Sequence, residues 1–184
     1  MQVAKKNKTR EQFLVSIRTM FDVSPGRNKL ARSRKEEAML DLILAVAHHI
    51  LIFGLFGVLF AEFLLVRPGL DAASIRRIAA IDLWYGITAG LIIVIGFSRA
   101  IFAAKGWLYY SHNFFFWAKI GTFALIGILS IWPTIRYLRW RRAGIAPLAD
   151  DIVRVRQLIW AQLALFPLLL IFAAAMARGF GEMT

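Results

Sequence analysis

Residues 42–61 read LILAVAHHILIFGLFGVLFA, a run without Asp, Glu, Lys or Arg. About 20 apolar residues in a helix are enough to cross the hydrocarbon core of a bilayer. Further uncharged runs occupy residues 83–98, 120–135 and 157–177. The two shorter runs reach spanning length if Asp82, Arg99 and Lys119 lie inside the spans. The sequence therefore predicts four transmembrane helices, at about 40–66, 78–101, 113–135 and 154–177.

The composition is that of an integral membrane protein. Hydrophobic residues make up 59% of the 184 residues, more than a soluble domain of this length carries. The chain has no cysteine, which excludes disulfides, thiolate metal sites, iron–sulfur clusters and covalently attached c-type haem. We predict an all-α fold, an integral-membrane four-helix bundle over about residues 39–178 that follows a basic, partly helical extramembrane tail over about residues 1–38.

The basic residues are concentrated at the ends of the predicted spans. The net charge is +12, ten of the 23 Lys and Arg precede residue 36, and six more lie between Arg136 and Arg156. Clusters in these places interact with anionic lipid headgroups and bias the orientation of a membrane protein. Because a tail with ten cations is costly to translocate, we expect the N-terminus in the cytoplasm. No groove-reading or single-strand-binding motif accompanies the charge, so we expect no nucleic-acid partner.

Two helices are predicted within the tail. Apolar residues follow helical spacing at Phe13, Leu14, Ile17 and Phe21. This pattern is typical of an amphipathic helix that lies on a membrane surface, and equally of one that packs on a partner subunit. The sequence Ser24-Pro25-Gly26 ends this helix. A second, basic helix at about residues 28–37 is expected to run directly into the first span.

Ionisable residues of the first and third spans fall on stripes with seven-residue spacing, so each stripe lies on one face of a helix. The first stripe is Asp41, His48, Leu55 and Glu62, and the other is His112, Lys119, Ile126 and Pro133. Ionisable side chains are costly in hydrocarbon and normally face the interior of a helix bundle, where they find partners or a function. Both stripes are therefore expected to face the bundle interior and to hold the functional residues.

The end of the two stripes that carries His48 and His112 has the residues that a haem site requires. His48 and His112 are at similar depth on two spans, as haem b held by two imidazoles requires, and Lys119 or Arg99 would neutralise its propionates. His48 is preferred to its neighbour His49, which shares a helix face with several phenylalanines. The alternative is that His48 is a structural histidine that is hydrogen-bonded across helices.

Glu62 and Asp82 lie towards the opposite side of the membrane and form a second candidate site. Two close carboxylates cannot both ionise cheaply, so such a pair in hydrocarbon indicates a proton relay or a cation site. The simpler alternative, which we favour, is that each carboxylate pairs with an arginine at the membrane edge. The candidate arginines are Arg67, Arg76, Arg77 and Arg136.

A set of short motifs, in order along the chain, carries a resemblance to a known family. They are Ala47-His48-His49, Glu62, Arg67-Pro68, Asp82-x-x-Tyr85-Gly86, Gly96, Arg99, Lys105-Gly106, Tyr109-Tyr110, Asn113-x-x-Phe116-Trp117-x-Lys119 and Ser130-x-x-Pro133-Thr134. Over about residues 40–142 the chain resembles predicted four-span bacterial inner-membrane proteins that are classified only as a domain of unknown function. The resemblance implies a multi-pass protein of the bacterial inner membrane. A distant likeness to four-helix membrane proteins of the copper-resistance and haem-metabolism type implies haem or metal binding.

The predicted function is that of a haem-binding or redox membrane protein, with haem b as the cofactor. The alternatives are a non-catalytic accessory or assembly subunit of a membrane complex, and a small proton or cation transporter that uses Glu62 and Asp82. Expected partners are the lipid bilayer with its anionic lipids, and other membrane proteins or further copies of this chain. The residues assign no catalytic group, no separate metal site and no substrate.

Overall fold

The computed structural model describes residues 11–14, 16, 25–102, 106–144 and 147–183. These residues are helical almost throughout. The helices are α1 (Pro25–Leu65), α2 (Ala72–Phe102), α3 (Gly106–Ser111), α4 (Phe114–Ala143) and α5 (Ala149–Ala177). Residues 11–14 and 16 are helical as well. Within the described residues, β-type pairing is confined to one isolated bridge between Asn113 and Glu182.

The chain divides into two compact units, Met1–Leu40 and Asp41–Thr184. In the first unit the side chains of Phe13 and Leu14 are exposed. An exposed ion pair joins Arg32 Nε to Glu36 Oε1 at 2.9 Å, and a pair of this kind contributes little to stability. Ile17 and Phe21, on which the predicted amphipathic helix also depends, lie outside the described residues, so that helix stays a prediction.

The basic segment at about residues 28–37 belongs to α1, which begins at Pro25 and continues to Leu65. The prediction that this segment runs directly into the first span is confirmed. Proline suits the first turn of a helix because its φ is already fixed near the helical value and its missing N–H would have no partner there.

Four of the helices in the described part of the chain are long and apolar enough to cross a membrane: Arg32–Leu65, Ala72–Phe102, Phe114–Ala143 and Ala149–Ala177. The prediction of an all-α membrane protein with four spans is confirmed. Helices α2, α4 and α5 extend beyond the predicted spans, because hydropathy marks only the hydrocarbon region whereas helical hydrogen bonding continues through the arginine-rich flanks. A 30-residue helix such as α4 is about 45 Å long, which is close to the thickness of a bilayer with its headgroups.

Local signals begin α2 and end α4. Asp71 caps α2, and its Oδ1 accepts the backbone N–H of Ser74 at 2.8 Å. Hydrogen bonding from Ser74 lowers the pKa of the exposed Asp71 carboxyl below its usual value. Gly144 follows α4 in the left-handed conformation, with φ 63°, and its N–H donates to the Trp140 carbonyl. This is a common helix C-terminus, and glycine adopts it without the steric cost of a Cβ.

The four spans pack along stripes of almost completely buried residues. These are Leu55, Leu59 and Glu62 on α1, with Val66 directly after it; Ile75, Ile78, Asp82, Tyr85 and Ile92 on α2; Ile126, Pro133, Tyr137 and Trp140 on α4; and Val155, Ile159, Gln162 and Phe166 on α5. Spacings of three, four and seven residues keep one face of each helix inward. The predicted stripes through Leu55 and Ile126 are thus the buried faces of α1 and α4.

A group of hydrogen bonds, which we call the clasp, joins the start of α4 to the residues that follow α5. Asn113 is buried, its side-chain oxygen accepts the Phe115 N–H at 2.9 Å, and its amide donates to the Phe180 carbonyl at 2.9 Å. The Phe114 N–H donates to the Gly181 carbonyl at 2.8 Å. Gly181 has φ +83°, and a Cβ there would lie 2.6 Å from Phe115 Cδ2, so the clasp requires glycine at this position.

Replacing Asn113 by alanine is expected to destabilise the protein by about 2 kcal/mol, because it removes an N-cap and leaves the Phe180 carbonyl without its donor. Asn113→Ser keeps a capping oxygen and should lose less. Unfolding in mild detergent, followed by circular dichroism, measures both variants. Equal stability of Asn113→Ala and the wild type would contradict the role assigned to the clasp.

Candidate functional site

A cavity of about 510 Å³ lies between the four spans and α3. Its wall is mainly apolar and includes Ile92 of α2, Phe116 and Phe123 of α4, and Phe166 and Leu169 of α5. The volume falls within the range of about 300–1,000 Å³ that is usual for small-molecule sites. The cavity is therefore large enough for an apolar molecule of substantial size within the bundle.

Basic and hydroxyl groups gather on the wall of this cavity. His48 of α1, Arg99 of α2 and Lys119 of α4 line it, together with Tyr109 and Tyr110 of α3. Arg99 and Lys119 both lie close enough to interact electrostatically with the His48 imidazole. Arg99 also interacts electrostatically with Lys119. The structure thus brings these three predicted residues together in one cavity.

Glycine at position 96 makes room for the His48 ring, since a Cβ there would lie 3.2 Å from His48 Cε1. His48 Nδ1 is buried and has no hydrogen-bond partner among the described residues. By contrast, His49 is exposed and its Nδ1 lies 2.6 Å from the Ala45 carbonyl, although His49 also borders the cavity. A buried nitrogen without a partner indicates a further group, such as a ligand or a water molecule.

The two cations on the cavity wall differ in their partners. Arg99 Nε lies 3.3 Å from Asp41 Oδ1, and both side chains are partly buried. The Lys119 ammonium lies 5.6 Å from the centre of the Phe116 ring and forms no ion pair with any described residue. An ammonium inside a bundle without an acid beside it is costly in a membrane, so this part of the cavity favours an acidic ligand group.

His112 lies outside this wall. It is exposed, in the turn between α3 and α4, and its Nδ1 is 3.0 Å from the Leu108 carbonyl and 3.3 Å from Ser111 Oγ. The predicted stripe assumed that the helix continues back through position 112, but α4 begins at Phe114. The structure therefore does not bring His112 to the cavity that His48 lines, and it gives no support to a haem shared by these two histidines.

A second set of polar side chains is buried elsewhere in the bundle, and we call it the polar cluster. It consists of Glu62 of α1, Asp82 and Tyr85 of α2, Tyr137 of α4 and Gln162 of α5. The Thr134 hydroxyl donates to Asp82 Oδ1 at 2.7 Å, and the Tyr85 hydroxyl donates to Gln162 Oε1 at 3.3 Å. Glu62 Oε1 and the Tyr137 hydroxyl have no hydrogen-bond partner in the described part of the chain.

The predicted arginine partners are not paired with this cluster. Three of them are exposed, namely Arg67, Arg76 and Arg77. Arg136 pairs with Asp151 instead, Nη2 to Oδ1 at 3.3 Å. Neither Glu62 nor Asp82 forms an ion pair with a described residue, so the favoured prediction of arginine pairing is wrong. Arginines near helix ends extend towards the headgroup region, where their charge is hydrated, rather than inward.

Arg156 of α5 binds backbone carbonyls at the end of α1 and does not pair with a carboxylate of the described residues. Its Nη1 donates to the backbone carbonyls of Phe63 and Val66, and its guanidinium carbon lies 4.5 Å from the centre of the Phe63 ring. The last carbonyls of a helix have no partner within that helix, and a cation there also interacts favourably with the helix dipole. Sequence reasoning missed this contact because it joins residues 90 positions apart.

Other residues of these sites were not assigned a role from the sequence, among them Gly96, Tyr109, Tyr137 and Gln162. Tyr137 continues the α4 stripe four residues after Pro133, and Gln162 lies between Ile159 and Phe166 at spacings of three and four. Those patterns indicate an inward position for both side chains. No local pattern predicts that Gly96 lies beside His48, or that α3 lines the cavity. Both placements depend on contacts between segments that are distant in sequence.

The fold and these sites define a four-span membrane protein with a cation-lined apolar cavity and a separate buried polar cluster. Residues 40–181 match the model of the family described as "Predicted membrane protein (DUF2214)", and the chain belongs to this family. The predicted resemblance to a four-span membrane family of unknown function is confirmed. No curated protein and no solved structure matches the chain. The distant likeness to copper-resistance and haem-metabolism proteins gains no support from these comparisons.

Replacing Arg156 by methionine is expected to lower the free energy of unfolding by about 2 kcal/mol, since hydrogen bonds from a charged donor are worth about 1.5–3 kcal/mol. Arg154→Met is the matched control, because Arg154 is exposed on the same helix and its replacement should change stability by less than about 0.5 kcal/mol. Thermal unfolding in detergent compares the two variants. Similar losses in both would show that the carbonyl contacts of Arg156 do not stabilise α1.

Proposed function

We propose that this membrane protein binds an amphipathic, acidic cofactor in the cavity, and that the cofactor is haem b with His48 as its iron ligand. The observation that supports the proposal is the meeting of an imidazole and two cations on the wall of one apolar cavity of about 510 Å³. Haem b needs an apolar space for the porphyrin, a protein ligand for the iron and cations for the propionates.

The residues on the cavity wall fit these needs. Phe116, Phe123 and Phe166 offer apolar and aromatic surface to a porphyrin. Lys119, which forms no ion pair with a described residue, would hold one propionate. Arg99 contacts Asp41 through Nε and has further N–H donors for an acidic group. A bound carboxylate would offset the cost of an ammonium in the membrane interior.

Packing, rather than a hydrogen bond at Nδ1, orients the His48 ring. Gly96 leaves the space that the ring fills, and His48 Nδ1 has no partner among the described residues. Because His112 is exposed and does not line the cavity, one protein imidazole would bind the haem iron instead of the two expected from the sequence. Bound haem would supply electron transfer, while the chain binds and orients it and excludes water.

Adding haem b to the purified protein in mild detergent is expected to give the absorption spectra of imidazole-ligated haem in the oxidised and reduced states. His48→Ala should abolish this signature because it removes the iron ligand, and His112→Ala, the matched control, should leave it unchanged. Lys119→Gln should weaken binding about tenfold or more, since one charge-assisted contact is worth about 1.5 kcal/mol or more. A wild-type spectrum in His48→Ala, or no binding by the wild type, would contradict the proposal.

The same preparation tests the predicted partners. Large apolar side chains are exposed on all four spans, as contact with lipid requires. If the wild type binds no haem but copurifies in fixed proportion with another membrane protein, the accessory-subunit function replaces the cofactor-binding one.

We also propose that the protein lies in the bacterial inner membrane, as its resemblance to a bacterial family implies. Its N-terminus would lie in the cytoplasm, because ten Lys and Arg precede residue 36. The chain has no cysteine, so a single introduced cysteine reports its own side of the membrane. In spheroplasts, an impermeant thiol reagent should label Asp150→Cys, at the start of α5. It should label Arg178→Cys, after α5, only once the cells are lysed. Both positions are exposed, and the reverse labelling pattern would contradict this orientation.

A further inference from the structure

The polar cluster contains two buried groups without partners. Glu62 is 3% exposed and Tyr137 is 0% exposed, and neither Glu62 Oε1 nor the Tyr137 hydroxyl has a hydrogen-bond partner among the described residues. The Tyr137 hydroxyl lies within electrostatic range of the Glu62 and Asp82 carboxyl groups, so this unpartnered group belongs to the same site as the two carboxyl groups. Buried polar atoms nearly always have a partner, and these two atoms therefore indicate a bound species.

Polar groups from three other helices lie in the same region of the bundle as Glu62. They are Asp82 and Tyr85 on α2, Thr134 and Tyr137 on α4, and Gln162 and Arg156 on α5. The cation in this set, Arg156, is bound through Nη1 to the carbonyls of Phe63 and Val66. Within the described residues, no Lys, Arg or His forms an ion pair with Glu62 or Asp82. The two carboxyl groups thus have no ion-paired counter-charge in the described part of the chain.

An ionised carboxylate without a counter-charge is very costly in a medium of low dielectric constant, and a second carboxylate adds repulsion. A bound proton removes this cost, because it converts the carboxylate into a neutral acid that can also donate a hydrogen bond. The neutral acid and the Tyr137 phenol, which are not in direct hydrogen-bond contact, can then act as donor and acceptor through a bridging water. A proton on Glu62 therefore accounts for the unpaired carboxyl group, and the bridging water accounts for the unpartnered hydroxyl.

We propose that Glu62 is a proton-binding group of the bundle, and that its proton exchanges with water. The O–H bond on Glu62 forms when a proton arrives from water. It breaks when the proton passes to the Asp82 carboxylate or returns to water. Asp82, which already accepts the Thr134 hydroxyl, is the neighbouring acceptor. The five residues of the polar cluster do not line the cavity. This proposal therefore does not depend on haem binding, and each of the two proposals can be contradicted without the other.

Infrared spectroscopy of the full chain in lipid nanodiscs tests the proposal directly. At neutral pH the wild type is expected to show the carbonyl-stretch band of a neutral carboxylic acid. The band should shift in D₂O, because the proton exchanges, and should shift again when all glutamates are labelled with ¹³C but not when the aspartates are labelled. Glu62→Gln should remove the band, and Glu37→Gln, which alters an exposed carboxyl group, should retain it.

Tyr137→Phe provides a second readout that a merely structural role would not move. Removing the phenol hydroxyl should keep the band of Glu62 but change its frequency, since the water-mediated hydrogen bond to the acid is lost. An unchanged frequency would remove Tyr137 from the site.

The proposal is overturned if the wild type lacks the band, if the band follows the aspartate label, or if it does not shift in D₂O. It is also overturned if replacing K⁺ by Na⁺ at fixed pH abolishes the band, because the bound species would then be a metal cation. If Glu62→Gln fails to fold, the isotope labels on the wild type still decide the outcome.

Discussion

Polar side chains placed in hydrocarbon must find their partners inside the protein, and this requirement governs the inner face of α1. His48 and Glu62 lie on that face about 21 Å apart along the helix axis, at 1.5 Å per residue. Between them Leu55 is buried in the apolar core. Each polar end of the face therefore needs its own partners, and α2 contributes to both, with Arg99 at one end and Asp82 at the other.

The polar groups at the two ends of this face differ in charge: they are mainly basic around His48 and mainly acidic around Glu62. Around His48 the charged groups on the cavity wall are cations, and an acidic molecule would complete them. Around Glu62 the unpaired groups are acidic or phenolic, and a bound proton would complete them. The apolar middle of the bundle separates the sites, so they can perform different chemistry without a shared residue.

The sequence predicted the four spans and the inward faces of α1 and α4 because apolar residues and ionisable residues repeat at helical spacing. It also selected His48, Arg99 and Lys119, which meet on one cavity wall. His112 was misplaced because a seven-residue pattern cannot show that a helix begins two residues later, where Asn113 caps α4. The arginine pairing failed for a related reason. The position of a residue in the sequence does not show in which direction its long side chain extends. Arg136, for example, forms an ion pair with Asp151 instead.

What the sequence by itself determined is the class of protein: uncharged runs fix the number of spans, and the cost of charge in lipid fixes which helix faces turn inward. What only the tertiary structure decided is the content of each site. Gly96 admits the His48 ring, α3 closes one side of the cavity, and Arg156 is drawn to the carbonyls at the end of α1. These contacts join residues far apart in sequence, and their geometry depends on how the helices pack rather than on any local periodicity.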